Sequence, residues 1–284
     1  MKMWLTLAIT LVGGFLFIMA YLYLNQKNMV FFPTARLDIT PDEIGLAYDD
    51  VRINVSDRES IHAWHFPPSD NPDGAARTVI FCHGNGGNIS HRLETVQFLL
   101  SLGAGVLLFD YRGYGQSDGS PTESNCYADA RACYDWLLEV HRLSPDQIIV
   151  FGRSLGGAVA VDLASNVPCA GLIVESSFTS AADMGRKMFP FLPIKLILRY
   201  RFDSADKLDR VGCPILVTHS ADDEIIPFDL GRALYERSPQ PKRFLDIYGG
   251  HNERGYLNDS TYREAIREML ETSGADASPE NRGD

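Results

Sequence analysis

The chain has 284 residues, 45% of them hydrophobic and 22% charged, and a net charge of −11. That composition belongs to a globular protein and excludes a disordered, collagen-like or disulfide-scaffold chain. The acidic balance also argues against general nucleic-acid binding, which needs a positive field over the phosphates. The length accommodates one large domain or two small ones.

Residues 4–24 carry no charge and are dominated by Leu, Ile, Val, Phe, Ala and Met, with Tyr21 and Tyr23 near the end. About 20 apolar residues span a bilayer as a helix, and tyrosines suit its interface. A cleaved secretory signal is the alternative. Its apolar region is usually only about 7–15 residues and ends in small residues, whereas Ile18 here precedes Met19-Ala20. Residues 1–25 therefore read as an uncleaved membrane anchor. Lys2 precedes the span and Lys27 and Arg36 follow it, so the positive-inside rule barely orients it. The expectation is a domain on the non-cytoplasmic side.

Residues 26–50 form a polar and aromatic connector containing Phe31-Phe32-Pro33. Residues 51–271 then read as one domain. Strand character appears at 51–55, 61–66, 78–82, 106–109, 148–151, 172–174, 215–218 and 244–248, where runs are short, apolar and β-branched. Helical spacing appears at 89–102, 127–140, 158–164, 230–236 and 262–270. Residues 67–76 form a polar loop, and a polar, acidic tail over 272–284 is expected to be disordered. Strands alternating with helices imply an α/β fold, a mostly parallel central sheet with helices on both faces. Cys82, Cys169 and Cys213 border strands, and five cysteines cannot all pair, so reduced structural thiols are expected.

Gly152-Arg153-Ser154-Leu155-Gly156 follows the 148–151 strand and precedes a helix of small residues. That context makes Ser154 the nucleophile on a tight strand-to-helix turn. A serine hydroxyl needs a base, and the base needs an acid to orient it. In this architecture the chain order is serine, acid, histidine. His251 follows the 244–248 strand through Gly249-Gly250 and is the candidate base. The acid lies after the 215–218 strand, where Asp222, Asp223 and Glu224 are adjacent and spacing does not choose among them. All these positions fall at C-terminal strand ends, where parallel sheets place their sites. The oxyanion requires two backbone donors: the N–H of Leu155, after the nucleophile, and one from His83-Gly84-Asn85-Gly86-Gly87-Asn88, where Asn85 is the natural choice. His62 and His65 are three apart on a strand and so face opposite ways, which disfavours a metal pair. With His91 and His141, placed in helices, they read as structural or solvated.

These residues resemble the α/β-hydrolase superfamily of serine hydrolases. Within it they resemble the single-pass, membrane-anchored α/β-hydrolase-domain branch, related to protein depalmitoylases and prolyl-oligopeptidase-like peptidases. The resemblance covers nearly the whole chain. It includes Phe32-Pro33-Thr34, the 83–88 loop, Phe109 to Gly115, the Ser154 turn, Glu175 to Phe178, Arg201 to Ser204 and Gly250-His251. It implies Asp223 as the acid, before Glu224-Ile225-Ile226-Pro227, although Ser220 replaces the usual glycine. It also implies a structural role for Asp110 to Gly113.

Residues 180–211 lie between two strands and would cover the site as a short helical cap. The segment is apolar, yet residues 181–202 carry Arg186, Lys187, Lys195, Arg199 and Arg201 against Asp183 alone. The expected activity is ester or thioester hydrolysis on a small-molecule or lipid-like acyl substrate. No metal or organic cofactor is implied. A serine peptidase with the same triad and a catalytically silent membrane-tethered scaffold are the competing readings.

Overall fold

The computed structural model describes residues 1–68 and 77–271. Most of the loop expected at 67–76 and the whole tail at 272–284 lie outside the described residues.

The chain opens with a 29-residue helix, α1 (Lys2–Val30), which runs six residues past the end of the uncharged stretch at 4–24. Only Met19 and Gln26 are buried along it, so its isoleucines, its phenylalanines and every leucine but the half-buried Leu22 stand exposed. By length and composition it can cross a membrane. A short strand, β1 (Phe32–Pro33), follows. Next come β2 (Asp49–Asn54), β3 (Ser60–Phe66), β4 (Thr78–Cys82), the two-residue β5 (Gly86–Gly87) and α2 (Leu93–Ser101). The chain continues with β6 (Gly105–Phe109), α3 (Glu123–Glu139), β7 (Ile148–Arg153), α4 (Leu155–Ala164) and β8 (Gly171–Glu175). The cap segment contributes α5 (Ala181–Met188) and α6 (Ile194–Ile197). Last are β9 (Ile215–Ser220), α7 (Phe228–Arg237), β10 (Lys242–Ile247) and α8 (Ser260–Glu271).

Eight strands form one sheet in the order β10-β9-β8-β7-β4-β6-β3-β2. Six run parallel; β3 pairs antiparallel to β6, and β2 antiparallel to β3. The four strands β4, β6, β7 and β8 are buried at every residue. This is why they read as continuous apolar runs rather than alternating ones. Alternate residues of each strand feed two cores, Ile80, Leu107 and Val150 on one face and Val79, Val106 and Ile149 on the other. Helices α3, α4 and α7 cover the first face and α2 and α8 the second, because Leu137, Val159 and Leu234 join one cluster and Val96 and Ile266 the other.

The early histidines are tied to the neighbouring strand. His62 is bonded to Asp50 and His65 to Asp49, both on β2. His91 lies on a 3-10 turn over Ile89–Arg92 that precedes α2, and His141 lies just past α3 with its ring against His65. The two were expected inside helices; a short capped turn and a helix end hold them instead. All five cysteines are free thiols, with the sulfurs of Cys169 and Cys213 3.4 Å apart.

Candidate active site

Ser154 occupies the sharp turn from β7 into α4, with φ 57° and ψ −124°. A non-glycine residue adopts that backbone only where its surroundings impose it. The two flanking glycines show how. A Cβ on Gly152 would come within 2.1 Å of the Gly156 carbonyl oxygen, and one on Gly156 within 1.9 Å of the Cys82 oxygen. Helix α4 therefore abuts the end of β4 closely enough to exclude any side chain, and this approach thrusts the serine out over the sheet. Ser177 Oγ donates to the Ser154 carbonyl at 2.8 Å and holds the turn from the β8 side.

His251 lies on the loop after β10. Its Nε2 is 3.1 Å from Ser154 Oγ, and its Nδ1 is 2.7 Å from Asp223 Oδ2. With Nδ1–H donating to the carboxylate, Nε2 remains as the acceptor for the serine hydroxyl. All three residues are under 10% exposed. Burial works against a charge on Asp223. The rings of His219 and His251 and the Ile226 N–H nevertheless hold its carboxyl well below the usual carboxylate range. Its Oδ1 accepts from the N–H of Ile225 at 2.9 Å and of Ile226 at 2.7 Å.

Three carboxylates that the sequence left undivided thus separate. Asp223 faces His251. Asp222 is exposed and turned away, with its N–H bonded to Ser220 Oγ. Glu224 is exposed, yet its carboxylate accepts the His251 backbone N–H at 2.8 Å. That bond also lowers the Glu224 pKa. A chain reversal between Asp223 and Ile226 lets two consecutive acids grip the same histidine, one by its ring and one by its backbone.

The two expected oxyanion donors, the N–H groups of Leu155 and Asn85, have no protein acceptor among the described residues. Their loops are adjacent: a Cβ on Gly84 would lie 3.4 Å from Ser154 Cβ. The Asn85 side chain is occupied elsewhere, donating to the Val30 carbonyl at 3.0 Å. Asp110, fully buried, accepts the Ile89 N–H at 3.0 Å and lies 3.4 Å from His83 Nε2, bracing the same loop.

A buried network behind the site was not singled out from the sequence. Arg153 donates to the His251 carbonyl and lies 3.1 Å from Glu175, which accepts from Tyr256 and Tyr262, both at 2.6 Å. Arg153 and Glu175 are each almost wholly buried. The available signal was charge at the ends of two apolar strands, since an ion there must find a partner.

Residues of the 180–211 segment and of the body line a cavity of about 230 Å³, with Thr179, Ser180, Asp183, Arg186, Lys195 and Arg201 among its walls. It does not include Ser154. The cations around it are largely paired, Arg186 with Asp183 and Arg201 with Asp203.

Comparison with known proteins agrees with this architecture. Residues 77–197 match the family model described as alpha/beta hydrolase fold. The chain is 31% identical to the alpha/beta hydrolase domain-containing protein WAV2 of Arabidopsis thaliana, covering 93% of both chains. It is 36% identical to an uncharacterized protein of Mycobacterium tuberculosis over 89% of this chain and 90% of that one. Among solved structures it is similar in fold to an esterase of Pyrococcus furiosus, with TM-score 0.66 and 22% identity over 85% of this chain and 97% of that one. The match to WAV2 over 93% of both chains, together with the family model and the sheet order, shows that this chain belongs to the α/β-hydrolase family and is a hydrolase.

Proposed function

We propose that the protein is a serine hydrolase that cleaves ester or thioester bonds of small or lipid-like acyl substrates. The observation that carries the reading is the line from Ser154 Oγ through His251 to Asp223, with spacings of 3.1 and 2.7 Å. His251 takes the hydroxyl proton as Ser154 attacks the acyl carbon, and the imidazolium that forms is held by ionised Asp223. The N–H groups of Leu155 and Asn85 receive the negative charge on the carbonyl oxygen. The carbonyl re-forms, the alkoxide or thiolate leaves with the proton from His251, and an acyl-enzyme remains. Water, deprotonated by His251, then releases the acid and restores Ser154.

The lipid-like part of the reading is supported by the cap and by α1. Phe191 is 95% and Leu196 84% exposed, and both stand near the cap's cationic residues. Apolar side chains beside Lys and Arg suit the interface of an anionic membrane. We read α1 as an uncleaved anchor holding residues 51–271 as one hydrolase domain, on the non-cytoplasmic side, with residues 180–211 as its cap. Support for retention comes from the last turns of α1: Gln26 is buried and bonded to the Ile197 carbonyl and the Arg199 N–H, and Phe31 is buried. Cleavage beyond these residues would strip those contacts from the folded domain, so the end of α1 belongs to the domain it holds.

The test is covalent labelling by a fluorophosphonate probe, with Ser154→Ala as control. Labelling lost on substitution is expected, and unlabelled folded protein would leave the scaffold reading in its place. A panel of esters, acyl-thioesters and peptide amides of graded chain length then separates esterase from peptidase. Protease protection of the domain in intact cells tests the orientation.

A further inference from the structure

The segment that joins α1 to the sheet runs directly behind the loop that carries Asn85. Strand β1 pairs parallel with β5, Phe32 opposite Gly86 and Pro33 opposite Gly87. The Phe32 N–H donates to the Asn85 carbonyl at 3.0 Å, and the Thr34 N–H to the Gly87 carbonyl at 3.1 Å. In return, Asn85 Nδ2 donates to the Val30 carbonyl at 3.0 Å, and Asn88 Nδ2 to the carbonyls of Thr34 at 2.9 Å and Arg36 at 2.6 Å. Tyr114 adds its hydroxyl to the Asn85 carbonyl at 2.8 Å.

The loop needs such support. His83 to Gly87 contains three glycines, so side chains contribute little packing and backbone entropy is high. Its carbonyls and the Asn85 amide are engaged from outside, and the N–H of Asn85 is left without a protein acceptor among the described residues. The supporting segment is itself fixed. Phe31 is 3% exposed and packs edge-on against Tyr200 at 5.2 Å and Phe202 at 6.2 Å.

We infer that residues 30–34, the root of the apolar helix, are positioning residues for the oxyanion donor at Asn85, so that the membrane segment is built into the active site as well as tethering it. The inference rests on the triad reading above. Oxyanion stabilisation depends on donors preset where charge develops, and displacement of the order of 1 Å weakens catalysis steeply. A root that lets the loop drift therefore lowers the chemical step and leaves substrate binding and the Ser154–His251–Asp223 line in place.

The experiment uses the full chain in detergent or nanodiscs with a soluble short-chain ester. Thr34→Pro removes the donor to Gly87, and Asn85→Ala removes the tie to Val30 but keeps the Asn85 N–H. Thr34→Ala, which keeps both backbone groups, is the rescuing conservative change. Each of the first two should lower kcat by roughly tenfold or more, up to the ceiling of about 10²–10³ expected for outright loss of a donor. KM should stay within about twofold, and a boronic-acid transition-state analogue should weaken in proportion to kcat. The shape of the pH–rate profile and the thermal midpoint should hold, and Thr34→Ala should match the wild type. Unchanged kcat in Asn85→Ala and Thr34→Pro, or a fall in kcat matched by a fall in thermal midpoint, overturns the inference. Hydrolysis that survives Ser154→Ala removes the triad reading and this inference together. A Ser154-dependent rate indifferent to the root substitutions removes the inference alone.

Discussion

At the rim of the sheet, charged side chains are buried and paired; in the cap above it, apolar side chains stand in the open. Arg153, Glu175, Asp110 and Asp223 are each under 10% exposed, and each has partners in the protein. In α5, α6 and the turn between them, Met188, Phe189, Phe191 and Leu196 are all more than 40% exposed. Burying a charge is costly unless it is bonded on all sides, and the reward is a side chain that cannot wander. Exposing a phenylalanine forgoes burial free energy, and the gain is a surface free to meet something apolar. On the function proposed above, the rim would hold the chemistry fixed and the cap would meet a substrate or surface.

The largest expected effect lies at the rim. Asp223→Asn keeps the shape but leaves His251 without the charge that orients it and stabilises the imidazolium. A loss of about 10⁴-fold in kcat is expected, as seen when a triad acid is neutralised, measured with a soluble ester. A loss below tenfold would mean that Glu224 or another group takes over, and the division between the two acids described above would fall.

Next comes the network behind the histidine. Arg153→Met leaves Glu175 buried and its charge uncompensated, for a cost of about 3–5 kcal/mol in stability, read from denaturant unfolding. Since Arg153 also holds the His251 carbonyl, kcat should fall with it. Wild-type stability in this variant would place the network outside the rim's rigid set.

A smaller effect separates the regions by pH. Asp223 has a carboxyl depressed well below its usual range in the folded protein. Its contribution to stability is present above the unfolded value of about 3.9 and is lost as pH falls below that toward the folded value. The stability gap between wild type and Asp223→Asn should narrow as pH is lowered through about 4. A gap that widens there would contradict the assigned bonds.

The smallest effects belong to the cap. Phe191→Ser with Leu196→Ser, both exposed, should change stability by no more than about 0.5 kcal/mol. Turnover of esters presented in anionic vesicles should drop severalfold, with soluble short esters unaffected. Replacing Arg186, Lys187, Lys195, Arg199 and Arg201 with Gln should act in the same direction. Equal loss on both substrates would show that the cap serves the rim rather than a lipid surface.

Much of this molecule is legible from residue order because its signals are local. A β-branched apolar run such as residues 78–82 has few alternatives to a buried strand. The glycines around Ser154 announce a backbone with no room for Cβ, and the uncharged run ahead of residue 25 is long enough to span a bilayer whatever follows. The choice among Asp222, Asp223 and Glu224 was open to spacing alone, because three consecutive carboxylates share one local environment until the chain reverses and aims them apart. The Arg153–Glu175–Tyr256–Tyr262 network was hidden for a similar reason: its members are up to 109 positions apart and meet only when β7, β8 and the last helix are packed. The tie between Phe32 and Asn85 joins a connector to a glycine loop across more than fifty residues through backbone groups, which every residue possesses. Residue types and their spacing determined the fold and pointed to Ser154 and His251 as the proposed nucleophile and base; which carboxylate faces the histidine, and what holds the 83–88 loop, were decided by long-range packing, because carboxylates and peptide groups become distinct only through the neighbours that folding assigns them.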